Sequence, residues 1–193
     1  MRVIIAGMTH FYTGKGDDGY TGLLGEGRVP KYHPRTEAVG ALDEATAALG
    51  MARAISVSPE TQEMIITIQQ DLYGLMAEVA ATGDNAARFR VIDAARVSWL
   101  EDVTDVISSK VEMPNEFILP GDTLAGASIG LSRTIVRRAE RRVAELIHNG
   151  VIENIELLRY LNRLSSLCFV LELWENQLSG KASPTLAKKD SPH

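Results

Sequence analysis

The chain has 193 residues, of which 45% are hydrophobic and 23% are charged, and its formal net charge is −5. A chain of this length can bury a core without disulfides or a structural metal, so a single domain is expected. The acidic balance argues against a nucleic-acid partner, and the ordinary composition argues against disorder.

The single cysteine, Cys168, lies in the apolar run Leu167–Leu171. A single cysteine excludes an intrachain disulfide and is consistent with a reducing compartment. We interpret Cys168 as a core-filling residue because of its apolar neighbours. No stretch approaches the ~20 apolar residues of a membrane span, and the run Val3–Met8 is too short for a signal-peptide core. We therefore expect a cytoplasmic protein with no membrane partner.

The first segment along the chain, residues 9–35, contains six of the 16 glycines among polar residues, which predicts a loop. From Thr36 the apolar residues recur at helical spacing, and this predicts a first helix to about residue 55. Ser58 followed by Pro59 predicts the cap and first turn of a second helix, which residues 82–85 end.

A third helix is predicted from about Asp93 to Ser108 because apolar residues recur every three or four positions. Residues 113–122 carry two prolines around an apolar core, which predicts an extended segment. Asp122 or Thr123 can cap the helix that follows.

The fourth helix is predicted to run from Thr123 to about His148, where Asn149 and Gly150 stop it. The fifth is predicted to start near Asn154 and to end before Gly180.

Five long helices with short connections and no convincing strand hairpin predict an all-α fold. We expect a five-helix up-and-down bundle with a glycine-rich N-terminal loop, ferritin-like in general architecture. Residues 1–178 are assigned to a single domain, and residues 179–193 are predicted to be a disordered tail because they have nothing to bury.

The segment 133–142 contains five arginines in ten residues. Arg133, Arg137 and Arg141 recur every four positions, so they form a row on one helix face, where guanidinium groups can grip phosphate oxygens. The alternative is a solvent-exposed basic face, with Glu140 and Glu145 forming local ion pairs.

A second candidate for phosphate binding is the loop Tyr12–Gly22. Its glycines let backbone N–H groups approach an anion closely, Lys15 adds a positive charge, and Thr13 or an aspartate can contact hydrated magnesium. The loop is not a Walker loop, because GxxxxGK[ST] is absent. The alternative is a mobile N-terminal arm.

Polar residues on the first and fifth helices are further candidates for a functional site. Asp43 and Glu44 have apolar neighbours, so we expect a partly buried acid that needs a partner, such as an arginine of the row. The alternative is an exposed acid near a helix start. Asn162 and Ser166 are four residues apart and so share a face of the fifth helix. They are interpreted either as ligand contacts or as a small hydrogen-bonded network in the core.

Five segments, in this order, resemble the PduO-type ATP:cob(I)alamin adenosyltransferases over roughly residues 11 to 178: TGKGDDG, EAVGALDE, FILPG, SRTIVRRAER and YLNRLSSLCF. The resemblance implies transfer of the 5′-deoxyadenosyl group of ATP to the cobalt of reduced cob(I)alamin, with release of triphosphate. It implies ATP with magnesium and cobalamin as ligands, and a homotrimer with sites between subunits. It also implies a flavin-dependent reductase and an adenosylcobalamin-dependent mutase as partners. The alternative function is a non-catalytic protein of the same fold that binds or carries adenosylcobalamin or ATP.

The resemblance also implies roles for individual residues, with residues 1–35 as the ATP loop region. The ATP site would comprise Thr13, Gly14, Lys15, Gly16, Asp17, Gly19, Arg137, Arg138, Glu140 and Asn162. The catalytic set would be Arg133, Arg137, Asp43 and Phe117. Within it, Arg133 would pair with Asp43 across a subunit boundary, and Phe117 would crowd the lower face of the corrin ring. Cobalamin would contact Phe117, Asn162 and Ser166.

The chain departs from the family pattern at four positions. Gly14 separates the threonine from Lys15, which therefore comes one position later than usual. Gly130 stands in place of a histidine, and Asp122 stands in place of a second glycine after Leu-Pro. Ser166 stands where the family commonly has an aspartate, so a carboxylate near the corrin site is missing.

Overall fold

The computed structural model describes residues 12–25 and 27–188. The apolar run at residues 3–8 and the last five residues of the chain lie outside this range. The described helices are α1 (Pro34–Ile55), α2 (Pro59–Ala80), α3 (Ala94–Ser108), α4 (Leu124–His148) and α5 (Glu156–Leu178). The prediction of an all-α fold with five helices is confirmed. In these ranges, no helix is both long enough and apolar enough to cross a membrane.

Three helices begin at side-chain caps, of which Ser58 was predicted from the sequence and Thr123 was one of two predicted candidates. Ser58, Asp93 and Thr123 each accept a hydrogen bond from the backbone N–H three residues later, at 3.2, 2.9 and 3.0 Å. Helix α1 begins two residues earlier than predicted, because His33 Nδ1 accepts from the backbone N–H of Arg35 at 3.2 Å.

The helices pack around one core, in which α4 lies between α1 and α5, α2 covers α1, and α3 covers α5. Each helix contributes fully buried apolar side chains, represented by Leu42, Ile68, Leu100, Val136 and Leu164. Cys168 is buried among them, and this burial raises the pKa of its thiol to about 12. Its interpretation as core filler agrees with this position.

The N-terminal segment contains a short hairpin. β1 (Tyr20–Gly22) pairs antiparallel with β2 (Arg28–Pro30), with Thr21 opposite Val29. The prediction that this part of the chain lacks a hairpin was wrong, because strands of three residues are too short to show an alternating pattern. A 3-10 helix, Gly83–Phe89, follows α2 and was also not predicted.

The C-terminal tail, as far as residue 188, lies along the extended segment before α4. Leu119 N donates to Thr185 O at 2.8 Å, and Ala187 N donates to Phe117 O at 2.7 Å. The Asp122 carboxylate accepts from both the backbone N–H and the hydroxyl of Thr185, which lowers its pKa. As far as residue 188 this differs from the disorder predicted for the tail 179–193, because an extended segment offers unpaired backbone groups that a second segment can use. Residues 189–193 of the predicted tail lie outside the described residues.

Candidate functional site

The arginines of α4 divide between two sides of the helix. On the side that faces α1, Arg138 forms an ion pair with Glu44. Arg142 lies 3.8 Å from Glu37 and 3.3 Å from Glu145. These two arginines are therefore occupied by acids of the same chain.

The other side of α4 forms a cleft with α5, of about 500 Å³, which we call the arginine cleft. Its lining includes Arg137, Glu140, Arg141, Asn162 and Arg163. Within the described part of the chain, the guanidinium groups of Arg137 and Arg141 have no hydrogen bond or ion pair. Two exposed guanidinium groups are thus available to an anionic ligand.

Asn162 lies in the arginine cleft, with its amide held by neighbours. Its Nδ2 donates to Glu140 Oε1 at 2.9 Å, and its Oδ1 accepts from Arg163 at 2.8 Å. Arg163 also donates to Glu101 at 2.8 Å. Ser166 is exposed one turn further along α5, and its hydroxyl donates a long hydrogen bond, 3.5 Å, to the Asn162 carbonyl.

A second pocket, of about 650 Å³, lies between the extended segment and the faces of α4 and α5. We call it the Phe117 pocket, and its lining includes Phe117, Arg133, Thr134, Phe169 and Glu172. The Phe117 side chain is 86% exposed. On the facing wall, the guanidinium carbon of Arg133 lies 5.7 Å from the centre of the Phe169 ring. The pocket is therefore largely apolar, with two aromatic rings and with Arg133 and Lys188 as cations in its lining.

The two pockets lie on one continuous surface. Arg133 and Arg137 are four residues apart on α4, which corresponds to about 6 Å along the helix axis. Asn162 and Phe169 are seven residues apart on α5 and so share a face. The row predicted from the spacing of Arg133, Arg137 and Arg141 is present, and it faces α5.

Sequence reasoning missed Glu172 and Phe169. Glu172 is only 3% exposed, and its Oε1 has no hydrogen-bond partner among the described residues. Burial raises the pKa of this carboxyl to about 7, although nearby Arg133 acts in the opposite direction. The available signal was an acid between Leu171 and Leu173, in an otherwise apolar stretch of helix.

The predicted ATP loop is held in shape by Arg28. Its guanidinium donates to both oxygens of the Asp18 carboxylate at 2.8 Å and to the Lys15 carbonyl at 2.6 Å. The bond from Arg28 lowers the pKa of Asp18. Gly14 and Gly19 adopt φ values of 66° and 81°, which favour glycine.

This loop is anchored at the end of α2, where Leu24 N donates to Ala80 O at 2.9 Å. Thr13, Lys15 and Asp17 are exposed, and Gly16 is half-buried. None of the loop residues lines either pocket. A single chain therefore does not bring the predicted loop into the arginine cleft.

Asp43 is exposed on α1, so its expected partial burial was wrong. Its carboxylate has no hydrogen bond or ion pair to Arg133 or to any other described residue. The neighbouring Glu44 is the acid that meets the arginine run, through Arg138. Asp43 and Arg133 therefore form no ion pair within a single chain.

The fold and site define a helical bundle with a groove that presents free arginines beside an open aromatic pocket. Residues 11–175 match the family model described as cobalamin adenosyltransferase, and the chain belongs to this family.

Curated relatives of this chain are named corrinoid adenosyltransferases. The corrinoid adenosyltransferase PduO of Salmonella typhimurium is 36% identical over 173 residues, which cover 89% of this chain and 51% of that protein. The corrinoid adenosyltransferase of Bacillus subtilis is 35% identical over 173 residues, which cover 88% of each chain. This chain thus spans about half the length of the PduO relatives that it matches and most of the Bacillus protein.

Solved structures with the same fold include variants of a PduO-type ATP:corrinoid adenosyltransferase from Lactobacillus reuteri. One, complexed with cobalamin and ATP, has a TM-score of 0.84 and 29% identity, and the match covers 93% of this chain and all of that one. Another, complexed with ATP, has a TM-score of 0.82 and 29% identity, covering 92% of this chain and 99% of that one.

Proposed function

We propose that this chain is an ATP:corrinoid adenosyltransferase, which transfers the 5′-deoxyadenosyl group of ATP to the cobalt of cob(I)alamin and releases triphosphate. One observation carries the proposal. The unpaired guanidinium groups of Arg137 and Arg141 lie next to the Phe117 pocket on a single α4–α5 surface. A triphosphate in the arginine cleft and a corrin ring at the Phe117 pocket would bring the reacting atoms of the two substrates together.

In the proposed reaction, Co(I) attacks the 5′ carbon of ATP. The cobalt–carbon bond forms while the bond from carbon to the triphosphate oxygen breaks, so cobalt is formally oxidised to Co(III) and the electron pair leaves with triphosphate. The nucleophile belongs to the substrate, and the protein needs no catalytic serine or cysteine. Its task is to align the substrates and to stabilise charge on the leaving group.

The arginine cleft is suited to stabilising the charge on the triphosphate leaving group. Arg137 would donate hydrogen bonds to triphosphate oxygens, and its guanidinium group is available for them because it has no ion pair with any described acid. The bond from Asn162 to Glu140 would hold the floor of the nucleotide site in one orientation. Arg138 would join the site only if ATP displaces its contact with Glu44.

Phe117 fits the role of an apolar wedge beneath the corrin ring. Its side chain is exposed while its carbonyl is hydrogen-bonded to Ala187, so the backbone is fixed and the ring projects into the pocket. An aromatic ring below cobalt would exclude the lower axial ligand and so ease reduction of Co(II) to Co(I). Ser166, one turn beyond Asn162, would meet the corrinoid as a hydroxyl rather than as a carboxylate.

Magnesium is proposed to arrive on the phosphates of ATP. No group of three or more His, Cys, Asp or Glu side chains that could hold a metal occurs within residues 12–25 and 27–188. Magnesium in nucleotide sites is commonly held by phosphates and water with one or two protein oxygens. Thr13 and Asp17 of the loop are exposed and are the oxygens that we propose for this contact.

A homotrimer with sites between subunits is proposed for a structural reason. In one chain the loop of residues 13–19 lies outside the arginine cleft, and the Asp43 carboxylate has no partner among residues 12–25 and 27–188. A neighbouring copy that presents its loop and Asp43 to the α4–α5 surface would complete the site. We further propose that the protein works in the cytoplasm, with a flavin-dependent reductase that supplies Co(I) and a mutase that accepts adenosylcobalamin.

The proposed function is tested by incubating the purified protein with ATP, magnesium and chemically reduced cobalamin under anaerobic conditions. Formation of adenosylcobalamin, followed by its absorbance spectrum, supports the enzyme. Tight binding of adenosylcobalamin without turnover would identify a carrier of the same fold. Absence of binding to ATP and to cobalamin would refute both functions.

Mixing two inactive variants tests the shared site. Asp43→Ala and Arg137→Ala are each expected to lose activity, and trimers assembled from equal amounts of both would contain about one quarter of sites with both residues intact. Recovery of about this share of activity supports sites between subunits. No recovery in verified mixed trimers would place both residues in one chain's site and refute the arrangement.

A further inference from the structure

One acid of the Phe117 pocket has no use in the proposed reaction. Glu172 is 3% exposed, lines the pocket, and has an oxygen without a hydrogen-bond partner in the described structure. Arg133 faces it from α4 and Asp122 from the segment before that helix, but neither forms a hydrogen bond with it. A buried carboxyl without a partner is costly, so its presence in a pocket wall indicates a partner that arrives with a ligand.

The chain makes room for this carboxyl at Gly130. A Cβ atom at this position would lie 2.9 Å from one carboxylate oxygen of Glu172 and 3.0 Å from the other. Any larger residue would therefore push the Glu172 carboxyl away. The absence of a side chain at Gly130 therefore allows the Glu172 carboxyl to occupy its observed position.

The ligand that would fill this pocket carries suitable hydrogen-bond donors. The rim of a corrin ring bears primary amides on acetamide and propionamide arms, whose N–H groups can donate to a carboxylate. Because Glu172 lines the pocket but is only 3% exposed, the longer propionamide arm is the better match.

We infer that Glu172, in the space left by Gly130, is a specificity-determining residue that accepts a hydrogen bond from a propionamide arm of the corrinoid. This inference rests on the proposed function. It adds a preference for corrinoids whose propionamide arms are intact. A carboxylate in place of that amide would lose the hydrogen bond and would repel Glu172.

The test compares cob(II)alamin with each of its monocarboxylates, in which one propionamide is hydrolysed to a carboxylate. Dissociation constants are measured at pH 8 in the presence of ATP. The wild-type protein should bind at least one monocarboxylate about ten-fold or more weakly than cob(II)alamin, as expected for loss of a hydrogen bond to a charged group. Glu172→Ala should weaken cob(II)alamin binding by a similar factor and abolish this discrimination.

Two further variants make the test specific. Glu172→Gln keeps the side-chain shape and adds an N–H donor, so it should retain cob(II)alamin and accept the disfavoured monocarboxylate. Glu60→Gln removes an exposed acid that lines neither pocket and pairs with Lys110 at 2.8 Å, and it should change neither affinity by more than about two-fold.

The outcomes separate this inference from the proposed function. If the wild-type protein makes adenosylcobalamin but Glu172→Ala binds every corrinoid as the wild type does, the role of Glu172 is refuted and the enzyme stands. Equal wild-type affinity for all the monocarboxylates and cob(II)alamin refutes it as well. If the wild-type protein binds no corrinoid, both proposals fail.

Discussion

Helix α5 contains two buried glutamates whose replacement should have opposite effects on stability. Glu172 lacks a partner, and burial raises its pKa from 4.5 to about 7. Because the unfolded chain loses this proton at lower pH, the folded state becomes less favourable as pH rises from about 4.5 through 7. A shift of this size corresponds to roughly 3 kcal/mol, which hydration through the pocket mouth reduces to about 2 kcal/mol.

Glu172→Gln should therefore raise the free energy of unfolding by about 2 kcal/mol at pH 8 and change it little at pH 4, where the wild-type carboxyl is protonated. The measurement is urea unfolding of the ligand-free protein at fixed concentration and at both pH values. An equal effect of the substitution at pH 4 and pH 8 would refute the reasoning, because it would show that the Glu172 charge does not affect stability.

Glu175 provides the comparison. It is fully buried, and its oxygens accept from the Ser56 hydroxyl at 2.6 Å and from the backbone N–H of Val57 at 3.0 Å. Glu175→Gln replaces one acceptor with a donor, so it should lower the free energy of unfolding by about 1–3 kcal/mol at pH 8. A stabilised Glu175→Gln variant would contradict the hydrogen bonds that define this contact.

The remaining predictions concern catalysis and packing. Arg137→Ala should cost on the order of 2 to 4 kcal/mol of transition-state stabilisation, measured from kcat/KM. The control is Arg142→Ala, whose guanidinium is paired outside the cleft and whose kcat/KM should stay near the wild-type value. Near-normal turnover of Arg137→Ala would refute its role. Phe117→Ala should slow Co(II) reduction more than it weakens ATP binding, and equal effects in reduction and titration assays would contradict the wedge. In Gly126→Ala the new Cβ would overlap Asn176 Oδ1, so urea unfolding should show a loss of about 1–3 kcal/mol, and an unchanged midpoint would refute this packing.

The helices could be predicted because their signals are local. Apolar residues at spacings of three and four mark the buried faces, and capping residues such as Ser58 and Thr123 mark the starts. The hairpin and the pairing of the tail were missed because they depend on a few backbone hydrogen bonds between distant segments. Neither leaves a periodic pattern in the sequence.

For the candidate site, the sequence predicted the row of Arg133, Arg137 and Arg141, since four-residue spacing on a helix fixes a common face. It could not predict which arginines remain unpaired. Arg138 and Arg142 meet acids of α1 only because α1 packs against that side of α4. Asp43 was expected to be partly buried from its apolar neighbours, but the face it occupies is set by how α1 is rotated in the bundle.

The sequence by itself determined the helical class, the basic row and the family resemblance, because these depend on residue type and on spacing along one chain. Only the tertiary structure decided that Glu172 sits without a partner beneath Gly130, on a pocket shared with Phe117 and Arg133. These residues come from two helices and an extended segment, and their meeting follows from close packing, which has no signature in the linear order of the chain.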